Sequence, residues 1–505
     1  MWSLLLSCTA AYAAAQRPYI PKDSSFTIQK DNSMGQWSLG GDEVSTAFYH
    51  PAFPQHAMRL ASPKDVCPSS ANQWVGYFDV ANKSHHIFFW YFESQNDPVN
   101  DPVLLWFAGG PGSSGMMPTF GGLGPCLFAE DGESVYKNPY SWISKANLII
   151  MDQPVGVGFS YFDEGSPAVS DSFAAAEDMY SFMQLFYVAF PDKILNRFVV
   201  AGGSYGGSYV PAFAAHLWHQ NQLLSLSRQS VGVVRIPLES IMIGFGMTNL
   251  KVQTPSVAEY ICDKPKNNGL VSERECAIMK AQASLCSAGL QQCIDFDFTD
   301  QACEPTAIFC DHAMFGPVAT KNISLYNLKV KCSPERCYSE EFYPLITLLN
   351  SNATRAKLDI IPKDILWAPI AFDVHQRFQT TWDMFHEHDK MLIPLVEDGI
   401  RLLTYIGDLD TICNYHGVFE WMRKLPTSFT SDFNAAVDRP IYFRSTNEPS
   451  GRMLKASART VGQGAGNYSY VVLFDAGHGV VREQPEIALW MLERWLTNQP
   501  FDSPA

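Results

Sequence analysis

Short β-rich runs, most of them unbroken and apolar, recur along the chain, at His86–Phe92, Val103–Phe107, Leu148–Met151, Phe198–Ala201, Ile241–Ile243, Leu402–Ile406 and Tyr470–Phe474. A strand wetted on one side alternates apolar and polar residues. A run without alternation is buried on both faces, as in a parallel sheet covered by helices. Segments with helical spacing lie between the runs. Ser170–Ala189 opens with Ser and Asp residues and places Phe173, Met179, Phe182 and Phe186 along its length. Pro485–Trp495 starts on proline, whose fixed φ suits a first helical turn, and carries Ile487, Leu489, Trp490, Leu492 and Trp495. Strands alternating with helices predict an α/β sheet of the doubly wound kind.

The rhythm breaks between residues 250 and 365, where polar turns replace the apolar runs and eight cysteines cluster from Cys262 to Cys337. The β/α pattern then resumes. This predicts an inserted cap stapled by disulfides rather than a separate domain. The expected division is 1–15 as a signal peptide, 16–249 as the first part of the core, 250–365 as the cap and 366–505 as the second part.

The signal peptide rests on the apolar run after Met1 and the small residues Ala13 to Ala15, which suit cleavage. No other stretch is long enough to span a bilayer. Export also accounts for cysteines that lack the C-x₂-C spacing of a zinc site, since dense cysteines behind a signal peptide read as disulfides. Sequons at Asn82, Asn322, Asn352 and Asn467 are candidate glycosylation sites. A net charge of −15 disfavours nucleic acid and anionic membranes as partners. No metal or other cofactor is expected, and no H-E-x-x-H is present.

Three strand ends carry chemistry. Gly202-Gly203-Ser204-Tyr205-Gly206 is a G-x-S-x-G between the run Phe198–Ala201 and a helix-compatible stretch, Tyr209–Gln222. That context is what a nucleophile elbow needs: small flanking residues permit a strained turn that exposes the serine hydroxyl. A base and an orienting acid should follow in the order Ser, Asp, His. Leu402–Ile406 leads into Gly407-Asp408-Leu409-Asp410, and Tyr470–Phe474 into Asp475-Ala476-Gly477-His478. Both lie at C-terminal strand ends, where open α/β sheets bind ligands. Spacing alone does not choose between Asp408 and Asp410. Trp106-Phe107-Ala108-Gly109-Gly110-Pro111-Gly112 follows the run Val103–Phe107 and leaves backbone N–H groups free for an oxyanion. These features together predict an α/β-hydrolase fold with a mostly parallel central sheet and a disulfide-rich cap insertion.

The segments Trp106–Gly112, Asp152–Tyr161, Gly202–Gly207, Gly407–Asn414 and Ala476–Pro485 resemble those of serine carboxypeptidases, in the same order and over most of the chain. The resemblance implies Ser204 as nucleophile, Asp410 as orienting acid, His478 as base, and the N–H groups of Gly110 and Tyr205 as the oxyanion hole. It also implies a secreted or vacuole-like location. Cys67 is expected to pair with Cys126, the cap cysteines among themselves, and Cys413 to stay free near the active site.

The departures concern the pocket beside Trp106. The resembled family holds a substrate's terminal carboxylate with an Asn, a Glu before a later Gly-Pro, and a Glu before the nucleophile. Here those positions are Ala108, Gly122 and Gly203. Gly479 follows His478 where the family is usually bulky or acidic. The expected activity is therefore a carboxypeptidase-family serine hydrolase with altered recognition of the substrate terminus, acting on a peptide or a small-molecule acyl substrate. An acyltransferase or esterase of the same family is the alternative. An inactive binding protein is a further one, opposed by the intact Ser204, Asp410 and His478.

Overall fold

The computed structural model describes residues 35–38, 44–63, 65–226, 232–263, 269–331, 340–444 and 451–501. The expected signal peptide and the cap cysteines Cys332 and Cys337 lie outside the described residues.

Each of the seven apolar runs is a strand of one 14-stranded sheet. Six strands at its centre are mutually parallel, in the spatial order Asn147–Met151, Val103–Phe107, Phe198–Ser204, Leu238–Gly246, Arg401–Gly407 and Tyr468–Leu473. Their largely apolar character has a direct cause. Successive residues belong to cores on opposite faces: Val103, Leu105 and Phe107 join one, Leu104 and Trp106 the other. Helices Ser172–Ala189 and Gly206–Leu226 cover the first face, and Pro485–Leu496 the second.

Antiparallel strands extend the sheet on both sides, and the apolar pattern did not announce them. Gly35–Ser38, Val44–His50, Phe53–Ala61 and Gln73–Val80 form four strands running into His85–Phe92, and Arg439–Arg444 with Arg452–Val461 close the far edge. These strands carry polar side chains. Arg439–Arg444 has only Ile441 and Phe443 buried. Phe53–Ala61 holds Arg59, whose guanidinium grips Asp79 at 2.6 Å and 2.8 Å. Burial pushes the Asp79 carboxyl up, but Arg59 and His86 outweigh it and hold it down at about 2.

The described residues of the segment 250–365, expected to be an inserted cap, are largely helical, which its polar composition hid. Leu250–Cys262, Glu273–Asp295 and Asp300–Met314 are its longest helices. Ser272 starts the second with a reciprocal cap: its Oγ accepts from Glu275 N, and the Glu275 carboxylate accepts from Ser272 N. Disulfides Cys262–Cys276, Cys286–Cys310 and Cys293–Cys303 tie the three helices together, and Cys67 pairs with Cys126. Cys413 is free and buried. Among the described residues no helix is long and apolar enough to cross a membrane.

Candidate active site

Ser204 ends the strand Phe198–Ser204, and the helix Gly206–Leu226 begins two residues later. So abrupt a reversal puts Ser204 in the left-handed region, at φ 59°, a conformation that non-glycine residues hold only under constraint. The flanking glycines explain themselves. A Cβ at Gly202 would lie 2.9 Å from both Phe107 O and Val210 Cγ2, and one at Gly206 would lie 2.9 Å from Phe107 O. Only a bare backbone lets helix and strand approach this closely.

His478 and Asp410 come from the loops after two neighbouring strands. Gly407 permits their approach, since a Cβ there would sit 2.2 Å from Ala476 O. His478 Nδ1 donates to Asp410 Oδ2 at 2.8 Å, and Asp410 is fully buried. A carboxylate partner sets the tautomer, leaving Nε2 free to accept a proton. Asp408 is not the acid beside the imidazole; its backbone carbonyl accepts from the Tyr260 hydroxyl at 2.9 Å. Three further hydrogen bonds hold the backbone around His478. His478 N donates to Tyr326 O at 2.7 Å. Glu483 accepts from the backbone N–H on either side, Gly477 at 2.6 Å and Gly479 at 3.3 Å. Sequence reasoning missed Glu483 and Tyr326, although Glu483 is only five residues beyond His478.

Ser204 and His478 face one cavity of about 370 Å³, with Trp106, Ala108, Gly109 and Gly110 also in its wall. Gly110 has φ 108° and carries the turn after Val103–Phe107. Gly109 lies against the nucleophile: a Cβ there would be 2.8 Å from Tyr205 N and 2.9 Å from Ser204 Oγ. Tyr205 is anchored from behind, its hydroxyl donating to buried Asp383 at 2.6 Å. Burial, and then Asp383, push that hydroxyl far above the usual tyrosine range. Asp152 braces the floor, accepting from Ser114 Oγ at 2.5 Å, Gly115 N at 2.8 Å and Phe159 N at 2.8 Å. Burial raises its carboxyl to about 6 even so.

Of the four expected pocket residues, Trp106, Ala108 and Gly203 line the cavity. Gly122 does not. A Cβ on it would meet Val481 Cγ1 at 3.0 Å, and its carbonyl is taken by Asn138 Nδ2 at 2.7 Å. The wide helical turn over Thr119–Leu123 points Gly121 inward in its place. The Trp106 indole N–H is buried without a hydrogen-bond partner.

The charged residues in the wall, among those described, are Glu341, Arg482 and Glu483. Arg482 Nη1 pairs with Glu341 Oε2 at 3.1 Å, and its guanidinium lies over Phe128 at 5.3 Å and Phe342 at 5.6 Å. Burial raises the Glu341 carboxyl. Asp410, Cys413 and His478 bring ligand atoms within 4.8 Å of one another. Asp410 and His478 already bond to each other, however, and burial, with Asp410, holds the Cys413 thiol well above its ordinary pKa. A metal needs the thiolate, so this set is poorly suited to one.

Residues 63–498 match the family model for serine carboxypeptidases. The chain is 31% identical over 442 residues to the carboxypeptidase Y homolog A of Sclerotinia sclerotiorum, covering 87% of this chain and 76% of that one. It is 32% identical over 447 residues to the carboxypeptidase Y of Candida albicans, covering 88% and 77%. Among solved structures it shares the fold of Kex1(delta)p, a prohormone-processing carboxypeptidase from Saccharomyces cerevisiae. That match has a TM-score of 0.68 and 22% identity, over 88% of this chain and 92% of that one. With its serine, histidine and buried aspartate gathered at one end of an α/β-hydrolase sheet, the chain belongs to the serine carboxypeptidase family.

Proposed function

We propose that this serine carboxypeptidase-type hydrolase works through an acyl-enzyme on Ser204. The single observation that carries the proposal is the 2.8 Å His478–Asp410 bond behind an imidazole that shares a cavity with a left-handed serine. His478 Nε2 takes the Ser204 proton as Oγ bonds to the substrate carbonyl carbon. The oxyanion accepts from Gly110 N–H and Tyr205 N–H. His478 then returns the proton to the leaving group, and water repeats the sequence on the acyl-enzyme. The helical segment within 250–365 acts as the cap over this chemistry, contributing Ser324, Tyr326 and Asn327 to the wall.

The substrate terminus is recognised differently from a free α-carboxylate. A buried carboxylate needs hydrogen bonds or a countercharge. Ala108 and Gly203 offer neither, and Gly121 adds only open space. The guanidinium of Arg482 is engaged by Glu341, and Glu483 adds a second carboxylate to the same wall. The wall therefore suits an uncharged group. A blocked dipeptide amide or methyl ester is expected to exceed the free acid in kcat/KM by about tenfold or more, between about pH 4 and pH 8. Preference for the free acid at low pH would contradict this.

Passage through the secretory pathway is part of the same proposal. It is supported by disulfides, which persist in oxidising compartments. Asn82, Asn322 and Asn352 are exposed and Asn467 is half-buried, so the first three are the better candidates for glycosylation.

A further inference from the structure

We infer that Phe245 sets substrate choice in this cavity, as an aromatic wall beside the base and against the residue before the nucleophile; the inference rests on the acyl-enzyme proposal for Ser204 and His478. Strand Leu238–Gly246 runs parallel to Phe198–Ser204. The pairing advances regularly from Val199 opposite Ser240 to Gly203 opposite Gly244, then jumps, so that Ser204 faces Gly246. Phe245 is the extra residue at that step. Bulges of this kind re-aim a side chain, and they concentrate beside active sites. Phe245 also has φ 38°, a conformation a bulky residue adopts only when its surroundings impose it.

The bulge turns the ring into the cavity wall. On one side its centroid is 4.8 Å from the His478 imidazole, at an interplanar angle of 60°. On another it covers Gly203: a Cβ there would lie 2.4 Å from Phe245 Cε2 and 2.5 Å from Cζ. Gly203 is not among the glycines with positive φ, so its backbone does not demand glycine. The ring does. Gly203 and Phe245 form a complementary pair, in which the residue before the nucleophile lacks a side chain and its neighbour across the sheet fills the space.

The consequence is chemical. The substrate group that rests against the ring is apolar, because Met117, Leu123 and Phe342 continue the wall. It is also compact, because the ring takes the room that a branched group would need. The same ring limits rotation of the imidazole about its bond to Asp410. Phe245 is thus a specificity-determining residue that also positions the base.

The test uses the full chain and two fluorophosphonate probes, one with a small alkyl group and one with a bulky branched group. Phe245→Ala is expected to raise the bulky-to-small ratio of labelling rates by about tenfold or more, since pocket volume of a few methylenes is worth about that much discrimination. Gly203→Ala is expected to slow both probes by about tenfold or more, because the added methyl drives the ring toward His478. The double variant should recover to within about threefold of Phe245→Ala alone, a non-additivity expected of residues in contact. If Phe245→Ala does not fold by thermal melting, Phe245→Leu reads the same ratio with less volume removed. An unchanged ratio in the folded variant, or a Gly203→Ala defect that persists in full in the double variant, would overturn the inference. Absence of labelling at Ser204 in the wild type would instead refute the acyl-enzyme proposal, so the two failures are distinguishable.

Discussion

Replacing His478 with Ala is expected to lower kcat by about 10⁴-fold or more, with KM changed only a few-fold. The expectation follows from how completely the imidazole is held. Asp410 bonds its Nδ1, Tyr326 O takes its backbone N–H, and Glu483 takes the N–H groups on both flanks. Nε2 is then the ring atom left to serve the serine. Without it, the serine hydroxyl must lose its proton to water, and the remaining acceleration comes from binding and the oxyanion hole alone. The loss should fall on kcat because His478 acts on the reacting proton, not on ground-state affinity. Steady-state kinetics on one amide and one ester substrate check this. A loss confined to KM would mean that His478 only lines the pocket.

The second large effect is expected at Gly109. Substitution by Ala should reduce kcat by about 10²- to 10³-fold, the scale of losing one oxyanion donor. The methyl would stand 2.8 Å from Tyr205 N and 2.5 Å from Ser204 Cβ, in the space where the developing oxyanion must sit. No positive φ is recorded for Gly109, so backbone strain does not supply the loss. Gly316→Ala is a suitable control, because nothing lies within 4 Å of its added Cβ and it is not part of the cavity wall. Equal activity of the Gly109 and Gly316 variants would show that the oxyanion is held elsewhere.

The sequence made the centre of this fold legible because a doubly covered strand has a simple signature. Val103–Phe107 is apolar throughout since every residue meets one core or the other, and Leu402–Ile406 departs from this only at the buried Thr404. The flanks are half-covered or polar-paired, so Arg59 and Asp79 masked a strand pair that they in fact clamp. The helices within residues 250–365 escaped for a related reason: they are held by disulfides, which relieve the need for a broad apolar stripe. At the site, Ser204 and His478 stood out because strand-end motifs carry them. Spacing alone left Asp410 and Asp408 open, as the two are separated by a single residue on one turn; the family resemblance named Asp410, and it is Asp410 that bonds His478. Gly122 was misplaced at the cavity wall because a wide helical turn shifts the inward position to Gly121, and no periodicity in five residues reveals that. Phe245 was the most findable omission. It ends an apolar strand beside the nucleophile strand, between two glycines, where a bulky residue has little reason to sit unless it is aimed at something.

If one serine forms the acyl-enzyme, peptide mapping of the protein after reaction with a fluorophosphonate probe will show it. The probe adduct should be found on the peptide carrying Ser204, in one-to-one stoichiometry. Ser204→Ala should take up none under the same conditions, while melting at a temperature close to that of the wild type. An adduct on any other serine, or labelling undiminished in Ser204→Ala, would contradict the account.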